Sequence, residues 1–321
     1  MKAVIVNTLG QLPQLGIFTP PQAADGETIV EVMVAGIKQL DRAIVAGTHY
    51  SSPKNLPFVP GTDGVGLTPD GQRVYFASFR QPHGALAERS VASWAVPVPD
   101  ALDDATAAAL INPALAAWLP LYWRANIQPG ETVLIMGATG TSGKLAIAAA
   151  RQAGAGRIIA AGRRQNVLDT LGADATVDLG LAGEALKQAF TAAAGPQGYD
   201  VVVDYIWGPA TEALLATFNH HDLSSHAGGQ GIRLVNVGAM AGPNIALPAA
   251  VLRSTQLQIL GSGTGNFPPI PQLKKIVADI LALAEEGTIS VETQEHALAE
   301  IAEVWDINKK SDIRSVIRIR N

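Results

Sequence analysis

The stretch Thr132-Val-Leu-Ile-Met136-Gly137-Ala-Thr-Gly140-Thr-Ser-Gly143-Lys144, continued by Arg157-Ile-Ile-Ala-Ala161-Gly162-Arg163-Arg164, decides how this chain folds. Thr132–Met136 is apolar and partly β-branched, the composition of a parallel strand buried on both faces. Small residues follow at Ala138, Gly140 and Gly143, where a chain that bends straight into a helix needs little or no side chain. Lys144–Ala153 continues as an Ala-rich helix, and Arg157–Ala161 is a second apolar run. The order strand, turn, helix, strand predicts a doubly wound parallel sheet.

With this spacing the unit is the mononucleotide-binding half of a Rossmann fold. A pyrophosphate would approach the backbone of Ala138, Thr139, Gly140, Thr141, Ser142 and Gly143 and sit on the free N–H groups of the helix that begins near Ser142. Gly143-Lys144 is not a P-loop, because Ala138 stands five residues before Gly143 and Leu145 follows the lysine. An acid about 20 residues past the glycines would accept the ribose 2′-OH of NAD. Here Gly162-Arg163-Arg164 stands instead, with no acid until Asp169. A guanidinium suits a 2′-phosphate, so the expected cofactor is NADPH.

At 321 residues the chain can hold two packed domains. Its net charge of −5 gives no sign of a nucleic-acid or anionic-membrane partner, since either asks for a basic face. Without cysteine, disulfides, thiolate nucleophiles and cysteine–zinc sites are excluded. The apolar run within Met1-Lys-Ala-Val-Ile-Val-Asn7 is too short for a signal peptide, and a cytoplasmic location is expected. Ala105–Trp123 is uncharged and about as long as a bilayer is thick. Pro113 and Pro120 interrupt it, and a buried helical connection between domains is predicted rather than a membrane span.

The first ~100 residues read as β-rich, with strands at Lys2–Val6, Thr28–Ile37, Gln72–Phe79 and Ala85–Val98 between Gly- and Pro-bearing turns. Asp103 or Asp104 can cap the helix that follows. Further strands are expected at Ala175–Val177, Val201–Asp204, Arg233–Val237 and Gln256–Leu260, then a helix at Gln272–Glu286 and a last β-like run at Arg314–Arg320. The loops Asn236-Val237-Gly238-Ala239 and Gly261-Ser262-Gly263 follow strand ends, where ligands bind in open α/β sheets, and are candidate cofactor contacts. His220, His221 and His226 lie together in a polar stretch, but their spacing fits no regular zinc pattern.

Taken together, Ala35-Gly36-Ile37-x-x-x-Asp41, Pro57-Phe-Val-Pro60-Gly61-Thr-Asp63-Gly-Val-Gly66, Gly84-Ala-Leu-Ala-Glu88, Gln128-Pro-Gly-Glu131-Thr-Val-Leu134 and Leu171-Gly-Ala-Asp174 resemble the medium-chain dehydrogenase/reductase superfamily over nearly the whole chain. The resemblance implies an α/β fold: a Rossmann doubly wound parallel sheet at 114–263, set within a β-rich GroES-like catalytic domain formed by 1–113 and 264–321. Zinc-dependent members carry Cys-His and His-Glu where this chain has Lys38-Gln39 and Thr62-Asp63, so it resembles the zinc-free, quinone-oxidoreductase-like branch. That implies hydride transfer from NADPH to a small electrophile, a quinone or an activated C=C bond (enone or enal). It also implies a homodimer paired through the strand near Gln256–Leu260. Candidate carbonyl donors on the substrate side are Lys38, His49 and Tyr50, in and before the loop that resembles the family's substrate-side loop.

Several positions depart from the branch. Lys38 stands where Asn is usual, Ala43 where Tyr is frequent, Pro113-Ala-Leu-Ala-Ala-Trp118 where a cofactor-touching Thr is expected, and Ser311-Asp312 where Gly-Lys usually begins the last strands. These departures leave two rivals standing: an enoyl-thioester reductase, and a non-catalytic NADPH-binding redox sensor. Lys38 itself reads either as an electrophile or as a salt-bridge partner of Asp41.

Overall fold

The computed structural model describes residues 1–218, 231–307 and 312–320, and the chain divides into two compact units, Met1–Asn112 with Pro269–Asn321, and Pro113–Pro268.

The first unit opens with β1 (Lys2–Ile5) and β2 (Gln14–Ile17), an antiparallel pair. Then come β3 (Thr28–Gly36), α1 (Gln39–Val45), β4 (Asp63–Leu67), β5 (Arg73–Ala77), β6 (Arg89–Ala92) and β7 (Trp94–Pro97). β3 is the axis of this unit's main sheet, pairing antiparallel with both β4 and β6. The run expected as one strand at Ala85–Val98 is two, because the chain changes neighbours at Ser93: β6 lies on β3, and β7 lies on β5. α2 (Asp104–Trp118) begins as expected, with Asp103 Oδ1 accepting the Thr106 N–H at 2.9 Å. It runs on into a wider π-helical turn, Leu119–Arg124, at Pro120. Asp104–Arg124 is long and apolar enough to cross a membrane, and 78% of its most apolar window is buried inside the protein.

The second unit carries β8 (Thr132–Met136), α3 (Thr141–Gln152), β9 (Arg157–Gly162), α4 (Gln165–Leu168), β10 (Ala175–Asp178), α5 (Gly183–Ala194), β11 (Val201–Asp204), α6 (Pro209–Ala216), β12 (Ile232–Asn236), α7 (Ala249–Ser254) and β13 (Leu257–Gly261). All six strands are parallel, in the order β10-β9-β8-β11-β12-β13. The sheet therefore reverses direction of winding between β8 and β11, the place where such sheets bind ligands. The central strands are fully buried apolar runs, Val133–Met136 in β8 and Val201–Val203 in β11. They pack with Phe190, Leu214 and Phe218 into one core.

The chain then returns to the first unit through α8 (Ile270–Glu285), β14 (Thr293–Ala297), α9 (Ile301–Val304) and β15 (Arg314–Arg318). β15 pairs antiparallel with β3, and β14 adds to it in parallel. Ile301, Val304, Trp305 and Ile317 join Val4, Val32, Phe58 and Phe76 in the first unit's core. His220, His221, His226 and Ser311 lie outside the described residues.

Candidate functional site

Within the second unit, the glycine turn joins the end of β8 to α3. Gly137 sits at φ +94°, a conformation that penalises any Cβ, so the tight bend belongs to Gly137 rather than to Ala138. The turn is pinned from behind, with the N–H groups of Gly137 and Ala138 both donating to Ala161 O at 2.9 Å. Two further glycines are demanded by the protein itself. A Cβ on Gly143 would lie 2.3 Å from Gly137 O, and one on Gly162 would lie 2.6 Å from Thr139 Cγ2.

Gly140 is different. The nearest atom to a Cβ there is Gly137 O at 3.6 Å, and the residue is extended rather than left-handed. Neither packing nor backbone conformation asks for a glycine, so what remains is open space above the backbone. Gly140 is also the N-cap of α3 and has no side chain to cap it. The first intrahelical bond is Lys144 N–H to Gly140 O at 2.9 Å, which leaves the N–H groups of Thr141, Ser142 and Gly143 without helical acceptors. Open space over three first-turn donors at the positive end of a helix is a cradle for a phosphate.

The two arginines at the end of β9 are not equivalent. Arg164 donates to Thr139 O, so its guanidinium is tied to the glycine turn. Arg163 is exposed and makes no ion pair among the described residues. The other candidates sit at neighbouring strand ends. Asn236 closes β12 and donates through Nδ2 to Gly238 O at 2.8 Å, while Val237 N–H donates to Asp204 O at 2.8 Å and Ala239 is exposed. Gly261 ends β13, Ser262 N–H donates to Asn236 O at 2.8 Å, and Gly263 N–H donates to Asn266 Oδ1 at 2.8 Å. Because every strand of the sheet is parallel, all these residues fall along one edge.

In the first unit, Lys38 does not join His49 and Tyr50. It is 3% exposed, and its ammonium donates to Asp63 Oδ1 at 2.9 Å and Gly36 O at 3.1 Å and lies 3.3 Å from Asp41 Oδ2. No N–H is left for a substrate carbonyl, which corrects the expectation of Lys38 as an electrophile. Burial works against its charge, but Asp41 and Asp63 outweigh it and hold the ammonium above the usual lysine range. Asp41 also accepts the Lys38 backbone N–H at 3.0 Å and the Thr62 N–H at 3.1 Å, so the cluster fastens the start of α1 to the residue before β4.

His49 and Tyr50 follow α1. Their rings pack at 4.0 Å between centroids, tilted by 34°, and Tyr50 is 74% exposed. Ser51 N–H donates to His49 Nδ1 at 3.2 Å. A backbone N–H can only donate, so Nδ1 is the acceptor and the neutral ring carries its proton on Nε2. Burial holds His49 below the usual histidine range, which favours that neutral form.

No protein-family model matches the chain. A probable NADPH-dependent quinone reductase of Emericella nidulans is 25% identical over 333 residues, 90% of this chain and 91% of that protein. Quinone oxidoreductase-like protein 2 of Bos taurus is 26% identical over 90% of this chain and 82% of its own length. Among solved structures, the quinone oxidoreductase of Thermus thermophilus, described also in complex with NADPH, superposes with a TM-score of 0.74 at 27% identity, over 99% of this chain and 100% of that one. In sequence and in fold the chain is similar to the quinone oxidoreductases of the medium-chain dehydrogenase/reductase superfamily. The likeness is to the zinc-free, quinone-oxidoreductase-like branch, and Lys38 and Asp63 form an ion pair at 2.9 Å at two of the positions where the resemblance would place metal ligands in zinc-dependent members.

Two residues that matter at this site carry no strong sequence signal. Gly137 precedes the glycine pattern and is masked by it. Tyr205, immediately after β11, belongs to no motif.

Proposed function

We propose that this chain is an NADPH-dependent oxidoreductase that reduces a quinone or an activated C=C bond of a small electrophile. One observation carries the reading: a glycine, Gly140, that nothing in the protein requires, standing over the three uncapped donors of α3 with an exposed arginine at the neighbouring strand end. When bound, NADPH supplies a hydride from its nicotinamide ring to an electron-poor carbon.

The residues divide the work. Thr141, Ser142 and Gly143 offer backbone N–H groups to the pyrophosphate. Arg163 takes the 2′-phosphate through a planar fork of donors. Arg164, bonded to Thr139 O, keeps the turn in shape for both. Asn236 to Ala239 and Gly261 to Gly263 line the same edge for the rest of the dinucleotide. On the substrate side, His49 presents a neutral Nε2–H to the acceptor carbonyl, and Tyr50 offers its ring face to a flat acceptor. A substrate already activated by conjugation needs no stronger electrophile than a neutral donor.

The test is NADPH oxidation over a panel of quinones, enones and enoyl thioesters. Turnover on quinones or enones is expected. Turnover confined to enoyl thioesters would move the substrate class, and tight NADPH binding with no turnover on any member would make the chain a sensor. Equal Kd values for NADH and NADPH would overturn the cofactor assignment.

A further inference from the structure

Tyr205 stands where the second unit's sheet changes winding direction, as the first residue after β11. Its backbone N–H donates to Met136 O at 3.1 Å, the last residue of β8. The Asp204 carboxylate accepts from the N–H groups of Ile206 and Trp207 at 2.8 and 2.9 Å and from Thr211 Oγ1 at 2.7 Å, so the loop that carries Tyr205 is fixed from its own side. The side chain lies beneath the glycine turn: a Cβ built on Gly137 would be 3.3 Å from Tyr205 Cβ. The carbonyl of Tyr205 lies under the loop after β12, where a Cβ on Gly238 would be 2.6 Å from it.

The hydroxyl reaches two carbonyls. It donates to Ala116 O at 2.8 Å, with Ser142 O at 3.3 Å as a second acceptor. In a regular helix Ala116 O would accept from the residue four positions on, which is Pro120 and has no N–H. Tyr205 supplies that donor from outside the helix. Its other contact is the first turn of α3, whose N–H groups face the phosphate cradle. Burial holds this phenol well above the usual tyrosine range, so it stays a donor at any working pH.

We propose that Tyr205 is a positioning residue for cofactor binding, locking the glycine turn and the first turn of α3 against the helix interrupted by Pro120. The proposal rests on the reading of that turn as the pyrophosphate cradle. Tyr205 touches no ligand. It acts through Gly137 and Ser142, and so on the pyrophosphate half of the cofactor rather than on the half held by Arg163.

That division supplies the experiment. Calorimetric Kd values are measured for NADPH and for adenosine 2′-monophosphate, which carries the 2′-phosphate and adenine without a pyrophosphate, on wild type and Tyr205→Phe. The expected result is NADPH binding weakened roughly threefold to tenfold, the worth of one hydrogen bond, with adenosine 2′-monophosphate unchanged within twofold. Equal weakening of both ligands, or no change in either beside a lowered Tm, would reduce Tyr205 to a structural residue and overturn the proposal. The double variant Tyr205→Phe/Pro120→Ala gives Ala116 O a helical donor again and covers the case in which the single variant folds poorly. It should recover Tm without recovering NADPH affinity; recovery of both would also overturn the proposal. A wild type that binds neither ligand would fail the cradle reading itself, a result distinct from any of these.

Discussion

The glycine turn of the second unit and the ion cluster of the first are both built around charge, yet they are built in opposite ways. In the turn, helix donors are left open and uncapped, and the arginine beside them is exposed. In the cluster, each donor of the Lys38 ammonium faces an oxygen of the protein, and almost no surface reaches water. A site meant for a ligand shows unsatisfied groups with room above them, whereas a structural site has closed on itself. Charge alone does not tell the two apart; the state of the partners does.

Lys38 carries the largest expected effect. Lys38→Met leaves Asp41 and Asp63 buried without their cation and should cost about 3–5 kcal/mol of stability in denaturant titration. Because the folded pKa lies above the ordinary value of 10.5, that contribution is present in full below it and is lost as pH rises through the folded value. The gap between wild type and variant should thus hold steady through neutral pH and narrow only in strong alkali. If the variant folds normally yet loses turnover, the closed cluster would have to be counted with the site after all.

The arginines sharpen the other side. Arg163→Ala should weaken NADPH by about 1.5–3 kcal/mol, tenfold or more in Kd, and leave NADH where it was. Arg164→Ala, which frees Thr139 O, should weaken both cofactors alike. Identical behaviour of the two variants would erase the division drawn between them.

The glycines give the smallest and cleanest contrast. Gly143→Ala forces a methyl within 2.3 Å of Gly137 O and should cost about 1–3 kcal/mol of stability along with cofactor binding. Gly140→Ala meets nothing closer than 3.6 Å in an allowed conformation, and should leave Tm unchanged or raise stability by about 0.4–1 kcal/mol. It should nevertheless weaken NADPH, since the methyl occupies the space over the donors. Loss of Tm in Gly140→Ala would mean that the glycine serves the fold.

The Rossmann sheet was legible because its signals are local. Six short strand runs, those of β8, β9, β11 and β12 mostly buried, alternate with helices, and the turn chemistry lies within a dozen residues of β8. β4 was hidden because Asp63-Gly-Val-Gly-Leu67 has poor strand composition. Gly64 and Gly66 are needed there, since a Cβ would lie 2.7 Å from Val34 O and 2.4 Å from Glu31 O of the neighbouring strand. β14 was hidden for a different reason, being a polar edge strand with no buried residue. At the site, the failures were long-range. Lys38 could be paired with Asp41 by helical spacing, but its shorter contact is with Asp63, 25 residues away. The Tyr205 contact with Ala116 spans 89 residues and leaves no periodic trace. Arg163 and Arg164 are adjacent and chemically alike, and the bond to the carbonyl of Thr139 sets Arg164 apart.

The partnership of β15 with β3 sets an order of events during synthesis. Val316 faces Gly36 and Ile317 faces Ala35, so the main sheet of the first unit is completed by residues that leave the ribosome long after β3. The six-stranded sheet lies wholly within Pro113–Pro268 and can form before β15 is made. Until then the Val34–Gly36 end of β3 lacks its β15 partner and is a template open to another strand. The nascent chain is therefore expected to be most vulnerable to misassembly at β3, which waits longest for a partner.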